Sequence, residues 1–248
     1  MTCHGLNCTS QKLIEAHIIP KGFGRLIRGQ ASNVKLTPER VGEANPQLGE
    51  YDPDILCETC DNILGLDDEY AIKICKRFEV DHRNLGQNVF ELPGVDCDRF
   101  CKFILSVLWR ASTSRRRSFT SVNLGPYEDL AREVLFGAKP LSDMRAFEVL
   151  IQRYRSASLD PTKLYFHPVR QPFDERNAYG FGLAGFRIVA KLDNRPFREG
   201  FRSFVLNRSN VFRGFFVPLE DCSEFESIAG IVRNNARRQA AFRQKRTT

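Results

Sequence analysis

The amino-acid sequence predicts an α+β protein laid out in three stretches, and three observations carry that expectation. Two short-spaced cysteine pairs, in "CHGLNC" and "ILCETC", bracket a β-like run, "IEAHIIP", near the N-terminus. From about residue 96 to 155 apolar residues recur at helical spacing, which predicts a helical middle. From about 163 to 220 short aromatic and β-branched runs alternate with turn residues, which predicts antiparallel strands. A final segment, "SEFESIAGIVRNNARRQAAFRQKR", reads as a basic C-terminal helix. A chain of 248 residues can bury a sizeable core as one large domain or two small ones. The expected division is a domain at 1–85 and an α+β domain at 90–248, with "VDHRNLGQNVFELPG" as the hinge.

Composition narrows the class. Hydrophobic content of 42% with 27% charged residues is ordinary for a soluble globular protein. No apolar run approaches the roughly 18 residues that span a bilayer, so no membrane partner is expected. The opening "MTCHGLNC" lacks the basic and then apolar profile of a secretory signal. A cytoplasmic setting follows as the expectation, where thiols stay reduced and cysteine pairs bind metal more often than they form disulfides. The formal net charge is +7, which favours a polyanionic partner. The charge is clustered in Lys21, Arg25 and Arg28, in Arg115, Arg116 and Arg117, and in the C-terminal segment. One such cluster reads equally well as a solvated face. Three in a basic chain point to nucleic acid, with DNA the expected form.

The elements follow in order. Cys3 with Cys8 and Cys57 with Cys60 have the layout of a four-cysteine zinc site, in which each tight turn offers two thiolates and the two turns complete a tetrahedron. Gly5 and Asn7 suit a positive-φ turn in the first pair, and His4 is an alternative ligand. His17 stands in an apolar run closed by Pro20, either as packing or as a rigidly aimed imidazole. After the second pair, "DDEYAIKICKRF" reads as a helix for which Asp67 and Asp68 are natural caps. "DRFCKFILSVLWRAS", capped by Asp98, "GPYEDLAREVLFG", opened by Pro126 and stopped by Gly137, and "SDMRAFEVLIQRYR" read as three further helices. "KLYFHPV", "YGFGLAGFRIVAKL", "FRSFVLN" and "VFRGFFVPL" read as strands, with turns at 193–196 and 207–210. Cys75, Cys97, Cys101 and Cys222 read as small apolar residues, although Cys97 and Cys101 share a helix face that His82 could join. His167 reads as structural, and Trp109 as core.

A cysteine pair, then "AHIIP", then a C-x-x-C leading into a helix, resembles the HNH endonuclease family over roughly the first 80 residues. The resemblance implies a ββα unit clamped by structural zinc, with metal-dependent hydrolysis of phosphodiester bonds in nucleic acid. It implies that His17 is the general base and that a magnesium or manganese ion offsets charge on the phosphate. Asp61 stands where the family has its second histidine and is the implied catalytic metal ligand, with Asp67 and Asp68 as fallbacks. Ala16 stands where many members carry a metal ligand, and the family's central asparagine has only Asn45, Asp52 and Asp54 near its place. Those departures leave a second expectation open, a catalytically inactive, zinc-stabilised nucleic-acid-binding module of the same fold.

Overall fold

The computed structural model describes residues 1–28, 34–36, 41–43 and 50–222, with side chains omitted for 27–28, 34–36 and 41–43. Asn45, the side chain of Arg28 and the basic segment from 223 onward lie outside the described residues. The run that carries His17 becomes a two-residue strand, β1 (Ala16–His17). Pro20 then stops the extended chain, and α1 (Lys21–Arg28) follows at once. Short strands β2 (Val34–Leu36) and β3 (Val41–Glu43) pair with each other. Next comes β4 (Tyr51–Asp52), antiparallel to β1, with Ala16 opposite Asp52 and His17 opposite Tyr51. The amides of Ile18 and Ile19 both donate to the Glu50 carbonyl, at 2.7 and 3.2 Å, and extend this long-range pairing.

The helix after the second cysteine pair, α2, runs over Glu58–Asp81 and begins nine residues before the expected caps. Asp67 and Asp68 are therefore mid-helix residues and cap nothing. The expected hinge is instead a hairpin of β5 (Arg83–Gly86) and β6 (Val89–Leu92). α3 (Cys97–Thr113) is capped by Asp96, whose carboxylate accepts from the Arg99 amide, and not by Asp98. α4 (Glu128–Leu135) starts after Pro126, and Gly137 ends it at φ 79°.

The third expected helix is a strand, β7 (Phe147–Arg155). Phe147, Val149 and Ile151 enter the main core while Leu150 joins a separate cluster on the other face. A strand buried on both faces shows no polar alternation, so its sequence mimics a buried helix. β8 (Leu164–Arg170), β9 (Ala178–Leu183) and β10 (Phe186–Leu192) follow, the last two joined through Ala184 and Gly185 at φ 49° and 83°. "FRSFVLN" is not a strand: it contributes to two short helices, α5 (Glu199–Arg202) and α6 (Leu206–Ser209), the second tied to β7 through the Asn207 side chain. β11 (Phe212–Pro218) completes the chain's strands among the described residues.

Seven strands, in the order β8-β9-β10-β7-β11-β6-β5, form one sheet, which β2 and β3 extend beyond β8. The sheet is mixed and not purely antiparallel, because β11 runs parallel to β7 and β2 parallel to β8. Phe78 of α2 packs against Phe90, Phe186 and Phe216, and Phe100 of α3 against Phe212, which seats both helices on the sheet. One core runs from Cys3, Ile18 and Leu64 through Phe103 to Phe147 and Phe212, so residues on either side of position 85 share it. No helix among the described residues is long and apolar enough to cross a membrane.

Candidate functional site

Four cysteines meet where the N-terminal loop crosses the start of α2. The amide of Cys3 donates to the Ser10 carbonyl at 2.8 Å, and the amide of His4 to the Ile55 carbonyl at 2.9 Å, pinning the loop to the residues before the helix. The Sγ atoms of Cys3, Cys8, Cys57 and Cys60 all lie within 4.8 Å of one another, so they can hold a metal ion. Cys8 and Cys57 are 3.7 Å apart at sulfur, close to the separation of about 3.8 Å that tetrahedral zinc–thiolate bonds of about 2.3 Å impose. Burial pushes the Cys57 thiol up, but the Cys60 amide and the sulfurs of Cys3, Cys8 and Cys60 outweigh it and hold it at about 7. Burial raises Cys3 and Cys60, whose thiols share the crowded cluster. Exposed His4 is not part of the group.

Asn7 takes the positive-φ position at 54°, whereas Gly5 is required for another reason. A Cβ on Gly5 would stand 2.3 Å from the Cys60 sulfur. Gly5→Ala is therefore expected to weaken metal retention by roughly 10-fold or more, as losses in the shell around a metal site do; competition with a colorimetric chelator would measure it. Cys97 and Cys101 lie in the core, apart from any metal-holding group among the described residues.

The second site is a cleft of about 590 Å³ between α1 and α2, open to solvent and lined by His17, Lys21, Arg25, Asp61, Glu69, Lys76 and Arg110 among others. Gly22 permits the two helices to approach, since a Cβ there would meet Ile72 Cδ1 at 2.3 Å. Along α2, Asp61, Gly65, Glu69, Ile72 and Lys76 recur at spacings of three and four and present one face to the cleft. Lys21 and Arg25 are likewise one turn apart on α1. His17 is half-buried, and its Nε2 has no hydrogen-bond partner among the described residues. Burial lowers the His17 pKa, Lys21 and Arg110 lower it further, and Asp61 and Glu15 oppose them, so the ring is neutral at physiological pH. Asp61 is raised above the ordinary carboxylate range by burial, against the pull of Arg110 and His17.

Arg110 holds this arrangement together. It projects from α3, 1% exposed, and one terminal nitrogen donates to the His17 carbonyl at 2.6 Å. The same guanidinium makes a bidentate pair with Asp68, at 2.9 and 2.7 Å, and its Nε donates to the Ser106 carbonyl at 3.3 Å. Both oxygens of Asp68 are thereby engaged. Asp67 is engaged as well, pairing with Arg99 at 3.0 Å, and does not line the cleft. Of the carboxylates expected to hold a catalytic metal, Asp61 alone remains available in the cleft, which Glu69, about two turns further along α2, also lines. Asp52, on β4, accepts from the Asp54 amide at 2.9 Å and from the Ser114 hydroxyl at 2.5 Å.

Of the expected nucleic-acid contacts, Lys21 and Arg25 line the cleft, and Arg115, Arg116 and Arg117 are exposed beyond the end of α3. Arg110 and Glu69 were missed in the sequence. The available signals were an arginine inside the apolar run "FILSVLWRAS" and the helical spacing of Asp61, Glu69 and Lys76. Comparisons of the chain with protein-family models, with curated proteins and with solved structures find no match.

Proposed function

We propose that the chain is a metal-dependent endonuclease of the HNH type that hydrolyses phosphodiester bonds in DNA, its N-terminal unit clamped by zinc on Cys3, Cys8, Cys57 and Cys60. The observation that carries the reading is a neutral, strand-held His17 with an unpartnered Nε2, sharing a cleft with Asp61 and with the cations Lys21 and Arg25. A buried nitrogen without a partner costs about 1–3 kcal/mol, which a protein retains where the atom has work to do. An antiparallel strand pair whose second strand leads to a helix through a cysteine pair supports the family resemblance.

In this reading His17 Nε2 takes a proton from the water that attacks phosphorus. The β1–β4 pairing and the Arg110 hydrogen bond to its carbonyl fix the direction of the ring. Asp61 is a hard oxygen donor suited to magnesium or manganese. When bound, such an ion supplies positive charge against the phosphate and the departing oxygen. Lys21 and Arg25 neutralise the backbone that enters the cleft.

The test is plasmid nicking in magnesium or manganese, wild type against His17→Ala. Removing a general base is expected to lower the rate by roughly 10²- to 10⁴-fold, with metal content and circular dichroism unchanged. A His17→Ala protein that nicks at the wild-type rate would remove the proposal. Ala16 offers no ligand beside the base, and this observation favours a second reading, an inactive nucleic-acid-binding module. That module would bind DNA with steep salt dependence and nick it in neither metal.

A further inference from the structure

The strand pair that carries His17 is tied at a second place to the basic tripeptide Arg115–Arg117, and the cleft makes no use of that tie. Ser114 caps the C-terminal end of α3. Its hydroxyl donates to Asp52 at 2.5 Å and accepts from the Arg116 amide at 3.1 Å, which anchors the tripeptide to β4. One residue earlier on the same strand, Tyr51 lies opposite His17, with ring centroids 6.2 Å apart. The Arg116 guanidinium carbon sits 4.8 Å from the centre of the Tyr51 ring. Two strand neighbours of the base therefore hold one exposed arginine, Asp52 through its backbone and Tyr51 through its side chain.

An exposed arginine usually samples many rotamers. One stacked on an aromatic face with its main chain anchored is already ordered, and its outward N–H groups keep the fork that suits a phosphate. The geometry points to Arg116, stacked on Tyr51, as a clamp on the DNA backbone beside the phosphate presented to His17. Lys21 and Arg25 hold the strand within the cleft itself. This inference rests on the reading of His17 as the base and adds a second hold on the substrate: a strand held by cations inside the cleft and outside it.

The test measures binding of a short DNA duplex over a range of salt, without divalent ions, in the His17→Ala background, so that it reads the clamp whether or not the chain cuts. Arg116→Ala is expected to weaken binding several-fold and to reduce the slope of log K against log salt by about 1. Arg116→Lys should retain the slope, because the charge remains, yet bind more weakly than the arginine. Tyr51→Leu should also weaken binding with the slope retained. Arg83→Ala, which removes an equal charge from the exposed strand β5, should leave affinity and slope unchanged. An Arg116→Ala protein that binds with the parent's affinity and slope overturns the clamp, and so does an Arg83→Ala protein that loses as much. Absence of nicking by the wild type, with the Arg116 effect on binding intact, would remove the nuclease reading and leave the clamp.

Discussion

Stripping the four-cysteine site with a strong chelator is expected to release the first 15 or so residues and the start of α2 while the sheet stays folded. The free energy of structural zinc sites is on the order of 10 kcal/mol at neutral pH, and it is realised as folding. Here that energy bears on a loop with few apolar side chains of its own. Its ties to the rest of the chain are a few backbone hydrogen bonds, such as Ile14 to Leu56 at 3.0 Å, and the cysteines themselves. Without metal, three buried sulfurs and a half-buried fourth remain crowded together with no charge to balance them. Hydrogen exchange would show the loss as fast exchange in residues 3–16 and 55–60, with slow exchange kept in β7 and β10. Elemental analysis should find one zinc per chain beforehand. A protein that carries no metal as purified and whose exchange ignores the chelator would refute the site.

Replacing Arg110 with Met should cost about 3–5 kcal/mol, the range for removing one member of a buried ion pair. The change leaves Asp68 buried without its partner and the His17 carbonyl without its donor. Urea unfolding would measure the loss. The double variant Arg110→Met/Asp68→Leu should recover much of the stability, because apolar residues of similar volume can replace a buried pair at little cost. It should not recover nicking, since the His17 carbonyl then lacks its donor and β1 is left with its pairing to β4 alone. A double variant that is both stable and as active as wild type would show that Arg110 serves packing alone.

The four-cysteine cluster was legible because its chemistry is local. A C-x-x-C at the start of a helix and a nearby second pair leave few other arrangements. His17 was legible for a related reason, since a β-branched run closed by proline has one natural conformation. The middle of the chain was not legible in the same way. "FEVLIQRY" presents apolar groups to both faces of a sheet, so its pattern carries no period that separates strand from helix. "FRSFVLN" has strand composition, yet Phe201, Phe204 and Val205 gather against Phe197 in short helical turns, where tertiary packing overrides propensity. Arg110 could not be paired with Asp68 from sequence, because nothing local links positions on two different helices. The place of that arginine between Asp68 and the His17 carbonyl is a property of the fold.

The hydrogen bond from Arg110 to His17 joins residues 93 positions apart in the chain, and this separation has a bearing on biosynthesis. Contacts so distant in sequence close late, since loop entropy must be met before they form. On the ribosome the cysteine turns can capture metal as soon as residue 60 has emerged. The imidazole acquires its anchor only after α3 has been made and docked. A nascent chain is thus expected to pass through a metal-bound yet unaligned stage. Under the proposed function, the order of synthesis itself would keep the incomplete polypeptide inactive until α3 is in place.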